Sequence, residues 1–178
     1  MCYRLLYCCG VRTCKARLLL RNNVSLQDGY IDIIHSKGPN DRRVFLPEDL
    51  RPLHLRYDAV VNGIYSDRTY FFPAKADRCY GCLNTSQNFR KIWKAVGFRV
   101  HARAYDFRHH FAFATLNRWV EQDVNVHAMI PYLSRYMGHA SLESTFYYLH
   151  LVPEFFPTSS EKTKTLEQLL PEVGDDEE

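Results

Sequence analysis

Between residues 3 and 20, apolar and basic positions alternate at helical spacing. Leu5, Leu6, Cys9, Ala16 and Leu20 form the candidate core face, and Gly10 interrupts the run. The pattern predicts one or two helical pieces. The period then changes to two. Residues 29–37 have strand composition, Gly38-Pro39-Asn40-Asp41 is turn chemistry, and 42–47 reads as a second strand. A β-hairpin with Lys37 at its tip is expected. A helix follows over 49–61, ended by Asn62-Gly63. Tyr70-Phe71-Phe72 reads as a short strand stopped by Pro73, joining the hairpin in a small sheet.

Helical spacing returns after a loop. Thr85 or Ser86 can cap a helix whose core-facing side carries Phe89, Ile92, Trp93 and Val96, with Gly97 ending it. Asp106 can cap a helix over 107–120, another spans 126–137 up to Gly138, and Ser141 can cap a last one over 142–151. Pro153 and Pro157 close this part. Residues 158–178 read as a polar linker, a short amphipathic turn around Leu166, Leu169 and Leu170, and an acidic terminus expected to be disordered. No internal repeat is visible at periods of 20 to 50 residues. The expected class is α+β, mainly helical with a small antiparallel sheet.

Composition narrows this picture. At 178 residues, with 46% hydrophobic and 24% charged side chains, the chain suits one globular domain. No apolar run approaches the ~18 residues a membrane span needs, and the start lacks the order of a signal peptide. A soluble, cytoplasmic protein is expected, with its six cysteines as reduced thiols. The net charge of +3 hides an asymmetry. Residues 152–178 hold 8 acidic and 2 basic side chains, against 12 acidic and 21 basic before them. A basic body with 14% aromatic residues suits a polyanion, and the acidic tail would shield that surface or dock on a neighbour.

Polar residues at the ends of predicted elements form an ordered series. Arg12 follows Gly10-Val11, Lys37 sits on the hairpin tip, Arg108 opens a helix, His139 follows Gly138, and Tyr148 comes nine residues later. The stretches 6–12, Ser36-Lys37-Gly38, Tyr105-Asp106-Phe107-Arg108-His109, Met137-Gly138-His139-Ala140-Ser141 and Tyr148-Leu149-His150 together resemble the successive motifs of the tyrosine recombinase (phage integrase) catalytic domain. The resemblance spans about residues 3 to 152. Each motif alone is short and common, but their joint order and spacing is specific.

The resemblance implies a mainly helical catalytic domain over 1–157. It also implies site-specific DNA recombination through a 3′-phosphotyrosyl intermediate. Arg12 and Arg108 would hold the nonbridging oxygens of the phosphodiester, whose charge grows in the transition state, so no metal or cofactor is needed. The first turn of the Arg108 helix would add backbone N–H groups for the anion. Tyr148 would be the nucleophile, Lys37 the general acid for the leaving 5′-oxygen, and His139 a hydrogen-bond donor to a nonbridging oxygen. Tyr147 is the rival nucleophile, and the nine-residue spacing from His139 selects Tyr148. The working unit would be a tetramer on two double-stranded DNA sites, with the leucines at 166–170 docking on a neighbour.

The chain departs from the family at three points. Tyr105 stands where the family carries a histidine, and a phenol does not shuttle protons near neutral pH as imidazole does. Lys15 replaces a usual acidic residue three positions after Arg12. Met1 lies eleven residues before Arg12, so the opening helix and the N-terminal core-binding domain are expected to be absent. Two other functions stay open: type IB topoisomerase-like relaxation, and a catalytically dead DNA-binding remnant. Cys79 and Cys82 have metal-ligand spacing, but no second pair follows, so a plain thiol loop is expected. His109 and His110, adjacent on a helix, do not converge on one ion and read as structural.

Overall fold

A computed structural model describes residues 1–34 and 41–150. The expected hairpin tip with Lys37, the end of the last helix at 151, and the linker, leucine turn and acidic terminus of 152–178 lie outside the described residues.

The helical run at the start is two pieces, α1 (Cys2–Cys9) and α2 (Thr13–Arg17). Gly10 separates them in the left-handed region at φ 59°, and its N–H closes α1 on the Leu6 carbonyl. A Cβ there would also strike the Phe111 ring, so this turn needs glycine twice over. Leu5, Leu6, Cys9 and Ala16 are buried as expected, but Leu19 rather than Leu20 completes the face.

The hairpin strands are β2 (Tyr30–Ile33) and β3 (Arg42–Phe45), antiparallel with Ile31 opposite Val44 and Ile33 opposite Arg42. The third strand of the sheet is β1 (Val24–Ser25), paired with β2, and not the segment around Phe71. Tyr70 makes only an isolated bridge to Leu20. A strand would send Phe71 and Phe72 to opposite faces, whereas both rings are buried in one core, so the pleat is lost.

The helix α3 (Leu50–Asn62) lies within a residue of its expected bounds. The helix α4 (Cys82–Ala95) starts earlier than Thr85, with Gly81 at its N-cap and no side-chain cap. Its expected core face is only partly used. Phe89 is buried, while Ile92 and Val96 are 53% and 64% exposed. Trp93 instead stacks on Phe98 and donates its Nε1–H to the Val100 carbonyl, 2.7 Å away.

The helices α5 (Asp106–Glu121), α6 (Val126–Met137) and α7 (Glu143–Leu149) form the second half of the domain. Asn125 caps α6 by accepting from the Ala128 N–H. Neither Asp106 nor Ser141 caps as expected. The Asp106 carboxylate turns back to accept from the Arg103 backbone and guanidinium, and α7 begins without a side-chain cap.

Two apolar clusters result. One joins α1, α2, the sheet, Leu50, Phe71 and Phe72, and the other joins α5, α6 and α7. Tyr136 packs against both, and α1 lies along α5. The seam between the clusters is where the polar residues gather.

Candidate active site

The C-terminal end of α6 presents carbonyls that the helix itself leaves free, at the negative end of its dipole. Three successive ones accept from three different arginines. Arg42 Nε donates to Tyr136 O at 2.6 Å, Arg108 Nη2 to Met137 O at 2.7 Å, and Arg12 Nη1 to Gly138 O at 2.8 Å. Arg108 also donates Nη1 to Gly10 O at 2.5 Å and is fully buried. The Arg42, Arg12 and Arg108–Gly10 bonds tie α6 or α5 to the half of the chain that carries the sheet, and the Arg108–Met137 bond ties α5 to α6.

The arrangement depends on Gly138. At φ 66° it turns the chain so that its N–H reaches Arg135 O, and a Cβ on it would collide with the Arg42 guanidinium.

These cations crowd one another. Burial first, then the neighbouring Arg12 and Arg42 charges, push Arg108 down to about 10. Burial and then Arg12 push Arg42 down as well. Among the described residues, the Arg42 Nη1 and Arg108 Nε atoms are buried without a hydrogen-bond partner. An anion placed here would relieve the repulsion and satisfy donors. A cavity of about 360 Å³ opens beside Arg42, lined by Asp41, Arg42, Arg135, His139 and Ser141.

His139 lies one residue beyond Gly138, and its Nδ1 is 2.7 Å from the fully buried Thr145 hydroxyl. Burial, followed by Arg108, Arg12 and Arg42, pushes its imidazole down to about 4, so it is neutral at physiological pH. A Thr145 hydroxyl that donates to Nδ1 leaves Nε2 as the N–H, free to donate to an anion.

The His139 ring stacks near-parallel on Tyr148, with centroids 6.3 Å apart. Tyr148 is 3% exposed and its neighbour Tyr147 58%, so the helix turns one phenol in and the other out. Burial raises the Tyr148 pKa against the opposing pull of Arg108 and Arg12. Its hydroxyl lies 3.0 Å from Nδ1 of His109.

Of the residues expected from sequence, Arg12, Arg108, His139 and Tyr148 come together. Tyr105 sits at the rim, 40% exposed, with its ring edge-on to His109 at 5.0 Å. Lys37 lies outside the described residues, although the start of β3 lines the same cavity as His139. Lys15 donates to the Ile34 carbonyl, one residue beyond β2. The expected anion site at the first turn of α5 is not formed, because the Arg108 N–H bonds Tyr105 O and the Asp106 carboxylate occupies that end.

Sequence reasoning missed Arg42, Thr145 and His109. Arg42 was legible as a basic residue just after the predicted turn, and Thr145 and His109 by lying between residues already chosen. Their partners are 94, 6 and 39 positions away, and only folding shows those.

Fold and site define a mainly helical domain whose polar centre is a nest of arginines beside a buried tyrosine. The chain belongs to the phage integrase family, whose model matches residues 1–154. It is 28% identical over 145 residues to an integrase/recombinase of Sinorhizobium fredii, y4rE, covering 79% of this chain and 46% of that protein. A crystal structure of XerA recombinase shares the fold with a TM-score of 0.71 at 22% identity, over 89% of this chain and 54% of that one. A XerH site-specific recombinase bound to a palindromic difH substrate superposes with a TM-score of 0.69 at 19% identity, over 89% and 44%. The chain spans about half the length of the curated relatives it matches. Among the described residues no helix is long and apolar enough to cross a membrane.

Proposed function

We propose that residues 1–157 carry the strand-transfer centre of a site-specific DNA recombinase, acting in integration or excision of a mobile element. The observation that carries this reading is the trio of arginines on Tyr136 O, Met137 O and Gly138 O beside buried Tyr148. In the proposed reaction the phosphodiester enters the nest, Arg12, Arg42 and Arg108 meet its nonbridging oxygens, and His139 donates a further hydrogen bond. Charge builds on those oxygens as the Tyr148 oxygen attacks, so the preformed cations favour the transition state over the ground state. Lys37 protonates the leaving 5′-oxygen. Tyr105 borders the phosphate at the rim.

The partner is double-stranded DNA in the cytoplasm, and the working assembly is a tetramer on two DNA sites. Family membership and the complex of XerH with its difH substrate support the choice of DNA. The packed, mutually repelling arginines speak against a remnant, since a site released from anion binding gains nothing by keeping buried cations together.

A nicked duplex that traps the covalent intermediate tests the reading on a denaturing gel. A slow-migrating protein–DNA band that disappears in Tyr148→Phe is expected. No band from the unmodified chain, with DNA binding unchanged by Tyr148→Phe, would favour the remnant. Supercoil relaxation without joined products would favour the topoisomerase-like activity.

A further inference from the structure

We propose that His109 is the proton acceptor for Tyr148, its Nδ1 taking the phenolic proton as the tyrosine oxygen attacks phosphorus. The proposal rests on the strand-transfer reading above and assigns a role to a residue that the sequence pattern left as structural.

A buried phenol needs such a partner. Burial raises the Tyr148 pKa, so loss of its proton is harder here than in water, and the arginines around it are donors only. Two imidazoles lie within reach. His139 presents its ring face to Tyr148, 11° from parallel, and its Nδ1 is engaged by Thr145. It is also the weaker base, held at about 4. His109 instead points a ring nitrogen at the phenolic oxygen, at a hydrogen-bonding distance of 3.0 Å.

The fold holds that nitrogen in place. His109 lies one helical turn after Tyr105 on α5, with the Tyr105 ring edge against it, and its own ring is tilted at 51° to that of Tyr148. The charged groups acting on it are Arg103, Asp106 and Arg108 from its own segment, while α7 faces it with Tyr148. Burial, opposed by Asp106 and assisted by Arg103 and Arg108, lowers its pKa, which keeps the imidazole neutral with a lone pair available at neutral pH. Tyr105 cannot do this work, and the imidazole that can is four residues further along the same face.

In the step, the Tyr148 Oη–P bond forms and the P–O5′ bond breaks. The phenolic proton moves to His109 Nδ1, and the 5′-oxygen takes its proton from Lys37 on the reading above. The partly exposed imidazolium returns its proton to solvent, or to the phenolate when a 5′-hydroxyl reverses the reaction.

The test measures the rate of Tyr148–DNA adduct formation by the full chain on the trapping duplex, from acid to alkaline pH. General-base assistance contributes on the order of 100-fold or more, so His109→Ala and His109→Gln are expected to slow the adduct by about 100-fold at neutral pH. Their rates should climb with pH as hydroxide replaces the base, while the unmodified chain stays level above the His109 titration. Added imidazole should restore part of the rate to His109→Ala. A loss of equal size at every pH and untouched by imidazole would mean a structural role and overturn the proposal, as would rates equal to the unmodified chain. If the unmodified chain itself forms no adduct, the strand-transfer reading falls and this proposal with it, a result separate from either failure of the variants.

Discussion

His139 is neutral because burial first, and then three guanidiniums, oppose its protonation, and that has a consequence for stability. Its folded pKa of about 4 lies below the ordinary value of 6.5. Between those values the unfolded chain binds the proton more readily, so acidification through this window favours unfolding. Above it the group contributes no pH dependence. His54 and His109 are also lowered, so the whole chain shares this slope, and a single variant must separate the parts. The melting temperature of the unmodified chain is expected to fall more steeply from pH 6.5 towards 4 than that of His139→Gln, with parallel profiles above 6.5. Identical slopes would show that His139 is protonated in the fold as easily as in the unfolded chain.

At the scale of elements, the left-handed glycines that end α6 and α4 have contrasting surroundings. Gly138 closes α6 against the Arg42 guanidinium, whereas Gly97 at φ 87°, just beyond α4, has open space where a Cβ would go. An alanine in the left-handed region costs about 1–2 kcal/mol, so Gly97→Ala and Gly138→Ala should both lower stability by that order in urea unfolding. Only Gly138→Ala should also weaken binding of a short DNA duplex, because it displaces one arginine of the nest. Equal affinities for the two variants would separate Arg42 from the phosphate. The elements themselves were largely legible, since α5 and α6 follow helical spacing and α6 has a polar cap and a glycine stop in sequence. What sequence could not show was set by packing at long range. Phe71 and Phe72 look like a strand until both rings find the same core, and Ile92 looks buried until Trp93 turns to Phe98. In the site, the motif residues Arg12, Arg108, His139 and Tyr148 could be read from their order. Arg42 could not, because its place is defined by a carbonyl at Tyr136 on another element.

Taken whole, the molecule places its polar centre on a seam. The bonds Arg12 to Gly138, Arg42 to Tyr136 and Arg108 to Gly10 all cross between the two apolar clusters, so the arginine nest exists only when both halves are docked. The charge of the chain is divided along its length too, with a basic excess up to residue 151 and 8 acidic side chains after it. Charges on one chain compete with DNA phosphates for the same arginines and lysines, and the competition is felt over about 8 Å at physiological salt and further at low salt. Neutralising the terminus with Asp175→Asn, Asp176→Asn, Glu177→Gln and Glu178→Gln removes four negative charges and leaves every residue of the site in place. Affinity for a generic duplex, read by fluorescence anisotropy, should rise several-fold at low salt, and the gain should shrink as salt is added. A gain that persists unchanged at high salt would mean that the terminus acts by contact rather than by charge, and no gain at low salt would mean that it does not compete with DNA for the basic surface.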